Sequence, residues 1–473
     1  MDCFRTCDIR GKYPEEINEG LYYHIGRRLA EKFLVEKTIL IGSDLRLSSP
    51  ALKLALTDGL TASGAKVYDA GTVPTPVLYF GKRKLGVYAL AIVTASHSPP
   101  DCNGFKVLLG KFPATEAQLR QLKPDGATRA PRSSSHPAEA VDLAQAYLDF
   151  IVAAWKNRLR SAFLESSRNY LFDPGGGTWT LLVKEILQQL NIPGTVIHAE
   201  PDGRFLRRSP DCAAPESLQL LGDEVRRAGT AAGLAWDGDG DRLAVCDDKG
   251  RALFTDHLAL LMLPGMLHGG HPEKVVFDVK MSKCIPAVIR ELGAIPLVER
   301  SAHCFLETRM IRDDCVFGFE YSGHLFFRDL AGGDDGMYAA LVAVDFLERH
   351  REHLSDLVEM LPKLHITPDL RIPRQEAEFA AITSRVEEEF SSARISYFDG
   401  VKVELPRSWF IIRQSVSENM LSFRFEGDTA EDLEALLDRV KRLLPERKAD
   451  LQRRLDQWQP VTRLVQRAHF TPP

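Results

Sequence analysis

The stretch Ile92-Val93-Thr94-Ala95-Ser96-His97-Ser98-Pro99-Pro100 closes an apolar run that begins at Val87, and it leads to Asn103-Gly104-Phe105-Lys106. An apolar run of this length predicts a buried strand, and the two prolines after it prevent a helix from starting. Ser96 is therefore expected in a stiff loop at the end of the strand. A serine beside a histidine in such a loop is a candidate for chemistry, although a polar turn with an ordinary capping serine fits the same residues.

Strands and helices alternate around this loop. Short apolar segments at 38–42, 66–69 and 87–93 have the pattern of strands. A helix is predicted over 50–63, and a proline-punctuated turn at 73–81 leads into another helix. Alternation at this spacing predicts an α/β layer with a largely parallel sheet.

The same order of elements recurs twice further along the chain. In the second unit, a strand at 170–173 is followed by the glycine-rich segment 174–178 and a helix at 179–190. The glycine-rich segment fits either a tight turn or an anion site at a helix N-terminus. The third unit is predicted to contain helices at 257–267 and 282–292 and strands at 274–279, 295–298 and 316–319.

The pattern changes near residue 362. Residues 362–373 contain three prolines and are predicted to form a linker. Beyond it, three predicted strands and a leucine-rich helical face between 433 and 444 indicate a small α+β unit. We therefore expect an α/β protein, with three similar α/β domains of mixed sheets and a C-terminal α+β domain around a central cleft. The expected domains are 1–140, 141–242, 243–360 and 365–473, the last ending in a helical tail.

Composition narrows the class of protein. The 473 residues carry a net charge of −5, so no global field favours nucleic acid. The eight cysteines are scattered without a Cys-x-x-Cys pair, which favours reduced thiols over disulfides or structural zinc. No apolar stretch is long enough to span a bilayer, and the first residues lack the pattern of a signal peptide. These features predict a cytoplasmic protein without a membrane or nucleic-acid partner.

An acidic cluster, Asp237-Gly238-Asp239-Gly240-Asp241-Arg242, follows directly after a predicted strand. Alternate residues of an extended loop point to one side, so the three carboxylates can converge on one hard cation. Mg²⁺ fits, because it prefers oxygen ligands and keeps positions open for phosphate. An EF-hand is excluded by Arg242 and Asp248, which stand where that motif needs Gly and Glu. A solvated acidic turn remains an alternative, and an aspartyl phosphatase would leave the Ser96 loop without a role.

Two further polar clusters stand at predicted strand ends. Glu, Ser and His alternate in the first, which suits hydrogen bonding to vicinal sugar hydroxyls, although an ordinary β-turn also fits. Arginine and two serines alternate in the second, which suits a phosphate gripped by guanidinium and hydroxyl donors, although an exposed strand end also fits. The first cluster comprises Glu320, Ser322 and His324, and the second comprises Arg413, Ser415 and Ser417.

Taken in order, these clusters resemble the α-D-phosphohexomutase family, in particular its phosphomannomutase/phosphoglucomutase branch. The resemblance runs from Asp8-Ile9-Arg10-Gly11 through the Ser96 loop and the three polar clusters, and it spans nearly the whole chain. The Thr-Ala-Ser-His and Asn-Gly-Phe-Lys motifs, combined with Asp-Gly-Asp-Gly-Asp-Arg, are highly specific. The resemblance implies four domains around a cleft, each contributing one loop.

The resemblance also implies roles for individual residues. Ser96 would carry the phosphoryl group, and a phosphate oxygen on it would join Asp237, Asp239 and Asp241 in binding one Mg²⁺. Lys106 would be the leading general acid/base. The transferred group would be surrounded by Arg10, His97, Lys106 and Arg242. Substrate would be bound by Lys280, His303, Glu320, Ser322 and His324, and its non-reacting phosphate by Arg413, Ser415 and Ser417.

Several positions depart from the family pattern. Ser98 replaces the usual Asn after Ser-His, Cys7 replaces a tyrosine before Asp-Ile-Arg, and Ser43 replaces the Arg of Gly-Arg-Asp. The distal phosphate loop, Arg413 to Asn419, keeps its donors but lacks two prolines and the Asn between them. A looser loop should weaken binding more than chemistry.

The resemblance implies a hexose-phosphate mutase that acts on glucose or mannose phosphates. A phosphoryl group would move reversibly between O1 and O6 through Ser96 and a hexose 1,6-bisphosphate intermediate. The alternatives are a phosphoglucosamine mutase and a non-catalytic relative that binds sugar phosphates. A monomer or weak homodimer is expected.

Overall fold

A computed structural model describes residues 3–34, 38–126, 138–163, 166–267, 269, 272–375, 377–416 and 418–466. Within these ranges the chain forms four sheets. Three of them are mixed and flanked by helices, and the fourth is antiparallel. The predicted fold class, three α/β domains followed by an α+β domain, is confirmed. No helix within the described ranges is both long and apolar enough to cross a membrane.

The first domain carries the Ser96 loop. Its strands are β1 (Ile9–Lys12), β2 (Thr38–Ser43), β3 (Lys66–Thr72), β4 (Ala89–Val93), β5 (Cys102–Leu109), β6 (Phe112–Pro113) and β7 (Glu139–Ala140), and its helices are α1 (Glu19–Phe33), α2 (Ser49–Ala62), α3 (Thr75–Leu85) and α4 (Glu116–Arg120). The strand order is β1-β5-β4-β2-β3-β7, with β6 beside β5. Strands β2, β3 and β4 are parallel, whereas β5 is antiparallel to both β4 and β1. The Ser96 loop thus connects two neighbouring strands, and Lys106 stands on the second of them.

The second domain carries the aspartate cluster. Its elements are α5 (Ala144–Ala162), β8 (Tyr170–Asp173), α6 (Val183–Leu190), β9 (Gly194–Val196), α7 (Pro215–Ala228), β10 (Ala232–Trp236), β11 (Leu243–Asp247) and β12 (Ala252–Leu253). The strand order is β12-β11-β10-β8-β9. The aspartate cluster forms the turn between the antiparallel strands β10 and β11. The sheet therefore continues to Leu253, past the expected domain boundary at residue 242.

The third domain carries the cluster around Glu320. Its elements are α8 (Thr255–Met266), β13 (Lys274–Asp278), α9 (Ile285–Glu291), β14 (Ile295–Glu299), α10 (His303–Asp313), β15 (Phe317–Phe319), β16 (Leu325–Phe327), α11 (Gly336–Arg349) and α12 (Leu354–Glu359). The strand order is β14-β13-β15-β16, and the turn between β15 and β16 holds Glu320, Ser322 and His324. Helices α10 and α11 were not predicted from the sequence.

The fourth domain begins earlier than the expected linker allows. Its elements are β17 (His365–Ile366), β18 (Leu370–Pro373), α13 (Glu378–Glu389), β19 (Arg394–Ser396), β20 (Val401–Glu404), β21 (Ser408–Gln414), β22 (Met420–Gly427), α14 (Ala430–Leu443) and α15 (Lys448–Gln466). The prediction of a linker over 362–373 is wrong, because Leu370 and Ile372 are fully buried and β18 pairs with β22. The tail is helical to Gln466, and residues 467–473 lie outside the described ranges.

The first three domains share a hydrophobic core and together form the frame of the molecule. The fourth domain has a separate core and packs against this frame. One hydrophobic core runs through the first three domains, where Tyr147 and Trp155 of α5 pack among residues of all three. The fourth domain has a core of its own around Phe410 and Phe423. Helix α15 leads back from it to the frame, and the Trp458 ring lies 6.1 Å from that of Phe254. The expected cleft therefore has three walls with a shared core and one wall with a separate core.

Two cysteines differ from the sequence expectation. Cys7 and Cys304 form a disulfide with a Cα–Cα distance of 5.9 Å, so the prediction of reduced thiols is wrong for this pair. The sequence hides the pair because 297 residues separate its members. The other six cysteines form no disulfide among the described residues, as expected.

Candidate functional site

The Ser96 loop is held in an unusual backbone conformation. Ser96 has φ = 50°, in the left-handed region that residues other than glycine rarely adopt. Its amide donates a hydrogen bond to Thr94 Oγ1 (2.9 Å), and the Thr94 hydroxyl donates to Asp44 Oδ2 (2.8 Å). A strained residue persists only where its surroundings fix it, and such residues concentrate at functional sites.

Arg46 fixes the rest of the loop. The side chain is fully buried, and its two terminal nitrogens donate to four backbone carbonyl oxygens at 2.6–3.0 Å, those of Ser96, Ser98, Pro99 and Cys102. Its Nε donates to Asp44 Oδ2 at 3.1 Å. Neither Asp44 nor Arg46 was assigned a role from the sequence. The available signal was their position after β2, which pairs with β4 and therefore ends near the start of the Ser96 loop.

The aspartate cluster faces Ser96 directly. The Ser96 hydroxyl donates to Asp237 Oδ2 at 2.7 Å. Asp237, Asp239 and Asp241 are buried, and one carboxylate oxygen from each lies within 4.8 Å of the others. Oδ1 of Asp239 and Oδ1 of Asp241 are buried with no hydrogen-bond partner within the described part of the chain. Three converging carboxylates with unpaired oxygens fit a divalent cation that binds oxygen ligands.

Electrostatics at this cluster also favour a cation. Burial raises the pKa of Asp237 well above its ordinary value, and the neighbouring Asp241 and Asp239 raise it further. Lys106 Nζ donates to Asp239 (3.0 Å) and to Asp241 (2.6 Å). Burial alone would lower the pKa of Lys106, but the charges of Asp239 and Asp241 outweigh burial and raise it. The lysine thus contacts the same carboxylates that could bind a metal.

Arg10 and His97 stand beside Ser96 on the cleft side. Arg10 Nη1 donates to Ser98 Oγ (2.9 Å), and Nη2 donates to Asp8 Oδ2 (2.6 Å). His97 Nδ1 lies 3.3 Å from Ser96 Oγ. Burial and the nearby Arg242 and Arg10 guanidinium groups lower the pKa of His97 well below its ordinary value. A neutral imidazole therefore lies beside the serine, and two guanidinium groups lie close enough to this imidazole to lower its pKa.

The turn between β15 and β16 contacts the aspartate loop. Arg242 Nε donates to His324 Nε2 at 3.0 Å, so the imidazole proton is on Nδ1, which lies 2.5 Å from Asp334 Oδ2. Burial lowers the pKa of His324 to about 4. Glu320 Oε2 and Ser322 Oγ are buried without a hydrogen-bond partner among the described residues. These two groups are available to bind hydroxyl groups of a ligand.

Arg413, from the second polar cluster, contacts the third domain. Arg413 Nη2 donates to the carbonyl oxygen of Ser301 (3.0 Å), and its Nε donates to Asp399 (2.8 Å). Ser415 lines a cavity between the domains. Ser417 lies outside the described residues. Arg371 of β18 also lines this end and was missed because its segment was taken for a linker. The alternation of Leu370 and Ile372 around it was the signal for a strand.

All four domains line one cavity. Most of the predicted residues line it, and its wall carries five basic side chains, three histidines and two acids in all. His303, at the start of α10, also lines the cavity, and its ring centroid is 5.6 Å from that of His324. Lys280 Nζ donates to Asp369 Oδ2 at 3.1 Å. The basic side chains are Arg10, Arg242, Lys280, Arg371 and Arg413. Such a wall suits a ligand with an anionic group at each end.

Comparisons with known proteins agree with this geometry. Three family models match: phosphoglucomutase/phosphomannomutase alpha/beta/alpha domain I over 1–125, domain II over 145–250 and domain III over 254–364. A Pseudomonas syringae phosphomannomutase/phosphoglucomutase is 30% identical over 92% of this chain and 93% of its own length. A Neisseria gonorrhoeae phosphoglucomutase is 32% identical over 94% of this chain and 96% of its own length.

A solved structure of a similar protein has the same fold over most of the chain. A phosphoglucomutase/phosphomannomutase family protein from Burkholderia thailandensis superposes with a TM-score of 0.82 at 29% identity, covering 94% of this chain and 98% of the other. Fold, site and relatives together define an isomerase of the phosphohexomutase class. The chain belongs to the phosphoglucomutase/phosphomannomutase family.

Proposed function

We propose that the protein moves a phosphoryl group reversibly between O1 and O6 of glucose or mannose phosphate. The observation that carries this proposal is the placement of Ser96 Oγ, 2.7 Å from Asp237, beside a cavity whose opposite end is lined by Arg371 and Arg413. One end suits the reacting phosphate and the other suits the non-reacting phosphate. Phosphoryl transfer needs such positioning and charge neutralisation more than it needs new covalent chemistry.

In the proposed cycle, phosphorylated Ser96 passes its phosphoryl group to a hexose monophosphate. The resulting hexose 1,6-bisphosphate reverses its orientation within the cleft, so that its other phosphate faces Ser96. This phosphoryl group is then transferred back to Ser96. Arg10, His97 and Arg242 bind the group in transfer. Glu320 accepts hydrogen bonds from the sugar O3 and O4 hydroxyls, and Ser322 and His324 also bind these hydroxyls. Lys280 and His303 contact the substrate, and Arg413, Ser415 and Ser417 hold the distal phosphate.

Asp237, Asp239 and Asp241 would hold one Mg²⁺, with an oxygen of the Ser96 phosphate as a further ligand. The unpaired oxygens of Asp239 and Asp241 support this assignment. When bound, Mg²⁺ neutralises charge on the phosphoryl group. Lys106 is the proposed general acid/base for the sugar hydroxyl. Because its Nζ contacts Asp239 and Asp241, it must leave at least one of these contacts to reach a hydroxyl.

The names of the relatives favour glucose and mannose phosphates over glucosamine phosphate. The presence of Ser96, Lys106 and all three aspartates argues against a relative that only binds sugar phosphates. We further propose that the protein is cytoplasmic and acts as a monomer or weak homodimer. It is not expected to bind nucleic acid or a membrane.

The test measures phosphate and turnover in the same preparation. Mass spectrometry should find phosphate on the peptide that contains Ser96, and glucose 1-phosphate or mannose 1-phosphate should be converted. Ser96→Ala should lose both signals, whereas Ser161→Ala, an exposed serine on α5, should keep both. Undiminished turnover by Ser96→Ala would contradict the phosphoserine mechanism. A preference for glucosamine 1-phosphate would instead support the phosphoglucosamine mutase alternative.

A further inference from the structure

The disulfide between Cys7 and Cys304 lies at the cleft rather than in a domain core. Cys7 precedes β1 in the first domain, and Cys304 is the second residue of α10 in the third domain. Cys7, Arg10 and His303 all line the cavity. The bond therefore connects the two walls that present Arg10 and His303 to substrate.

The fourth domain also reaches this bond. Cys7, Ala302 and Cys304 form a small cluster of buried residues, and Val416 of the distal phosphate loop packs against it. Arg413, three residues earlier in that loop, contacts the backbone of Ser301. Three of the four walls of the cleft thus meet at the disulfide. A change in this bond alters the contact surface on which the distal loop rests.

The position of Cys304 favours thiol chemistry. The residue lies in the first turn of α10, an 11-residue helix, where the helix dipole stabilises a thiolate. Cys7 borders the cavity, so small molecules that enter the cleft can reach its sulfur. Disulfides in reducing compartments are usually transient and regulatory rather than structural.

We propose that Cys7 and Cys304 are a reversible redox pair whose oxidation tightens substrate binding at the cleft. A low-molecular-weight disulfide is the proposed oxidant. The Cys7 thiolate attacks one sulfur of that disulfide and releases one small thiol. The Cys304 thiolate then attacks the Cys7 sulfur of the mixed disulfide and releases the second small thiol. Two protein thiols and one small disulfide thus become one protein disulfide and two small thiols.

The effect on binding follows from preorganisation and rests on the proposed function. Substrate must contact Arg10, on the segment after Cys7, and His303, which precedes Cys304. The disulfide holds these segments together before substrate arrives, whereas the reduced protein must order them during binding. We expect reduction to raise KM for the hexose phosphate about three- to tenfold with little change in kcat. Ser96, Lys106 and the three aspartates are not on the two segments that the disulfide joins, so the chemical step should change little.

The first experiment tests the bond without using turnover. The protein is equilibrated with a small disulfide or with dithiothreitol, alkylated, and mapped by mass spectrometry. The oxidised protein should retain six modifiable thiols and give a linked Cys7–Cys304 peptide, and the reduced protein should show all eight cysteines. Eight free thiols under both conditions would overturn the proposal. Because no activity is measured, this result is independent of the proposed function.

The second experiment tests the consequence for binding. KM is measured for wild type in both redox states, which needs no variant. Cys304→Ser should show the reduced-state KM under both conditions, and Cys7→Ser should behave in the same way. Cys284→Ser removes a free, half-buried cysteine and should keep the wild-type redox response. A linked peptide whose reduction leaves KM unchanged would overturn the regulatory role.

Discussion

Arg46 acts on catalysis through the loop that carries Ser96. Its guanidinium group is fully buried and donates to four carbonyl oxygens of that loop. Arg46→Met keeps the length of the side chain but removes these donors, so Ser96 loses its fixed position. We expect kcat to fall about 100-fold, as displacement of a reacting group by about 1 Å can do. Steady-state kinetics and the yield of phosphate on the Ser96 peptide should fall together.

Arg46→Lys is the informative control for this positioning role. A single ammonium group cannot reproduce a planar fork that donates in several directions, so Lys should rescue folding but little activity. Thermal unfolding of both variants separates the two effects. Full activity in Arg46→Lys would show that charge alone suffices at this position.

Asp335 predicts a dependence of stability on pH. It caps α11 by accepting hydrogen bonds from the amides of Met337 and Tyr338, and burial raises its pKa from 3.8 to about 6. A carboxyl group whose pKa is raised by folding stabilises the fold below pH 3.8, and this stability is lost as the pH rises through 6. Asp335→Asn cannot ionise. Between pH 4 and 7, its free energy of unfolding should gain up to about 3 kcal/mol relative to wild type.

Urea unfolding at several pH values measures this difference. Tyr147→Phe serves as a second variant, because the Tyr147 hydroxyl donates to Asp335 (2.7 Å) and thereby lowers its pKa. Its loss should move the pH window upward. A difference between wild type and Asp335→Asn that is constant over this range would contradict the assignment.

At the scale of single elements, the backbone of the aspartate cluster lies close to the backbone of the Ser96 loop. A Cβ on Gly238 would lie 2.6 Å from the carbonyl oxygen of Ser96, which is too close for any side chain. Gly238→Ala should therefore separate the two loops, although it removes none of the three carboxylate side chains. We expect a Mg²⁺ requirement raised about tenfold or more, measured by titrating activity with the metal.

Gly265→Ala is the matched control for this prediction. Gly265 lies in α8, where an added Cβ meets no atom within 4 Å, so the change should leave the Mg²⁺ requirement unaltered. Equal titration curves for the two variants would mean that the loops can separate without affecting the metal.

Elements were predictable from the sequence where hydrophobic period and length agreed. Strands β2, β4 and β8 and helix α2 were recovered because their apolar patterns are regular. Strand β18 was missed because Pro368 and Pro373 outweighed the alternation of Leu370 and Ile372. Site residues were recovered where they cluster in the sequence. Arg46 and Asp334 were not, because each acts by holding another residue, and such partners become visible only when the chain is folded.

At the scale of the whole molecule, the contacts between domains were harder to predict from the sequence than the elements within each domain. The pairs Arg424–Asp256 and Cys7–Cys304 join residues 168 and 297 positions apart. Neither pair belongs to a sequence motif. The family resemblance implied a cleft between four domains, but it did not identify the contacts that hold the fourth domain against the frame.

The pair Arg424–Asp256 predicts how the fourth domain is held. Arg424 Nη2 donates to Asp256 Oδ2 at 2.6 Å, and both side chains are fully buried. Arg424 also donates to the carbonyl oxygens of Thr367 and Lys280. Asp256→Asn preserves the shape but leaves a buried guanidinium charge unpaired. We expect a loss of about 3–5 kcal/mol at this junction, because removal of one partner from a buried ion pair has this cost.

Urea unfolding should show an earlier first transition in Asp256→Asn, and limited proteolysis should cut faster between the third and fourth domains. The double variant Asp256→Asn, Arg424→Met removes both charges, so its loss should be smaller than the sum of the two single losses. The exposed pair Arg27–Glu31 is the control, and Glu31→Gln should cost less than about 0.5 kcal/mol. Additive losses at the buried pair would mean that the other contacts of Arg424 hold the fourth domain without Asp256.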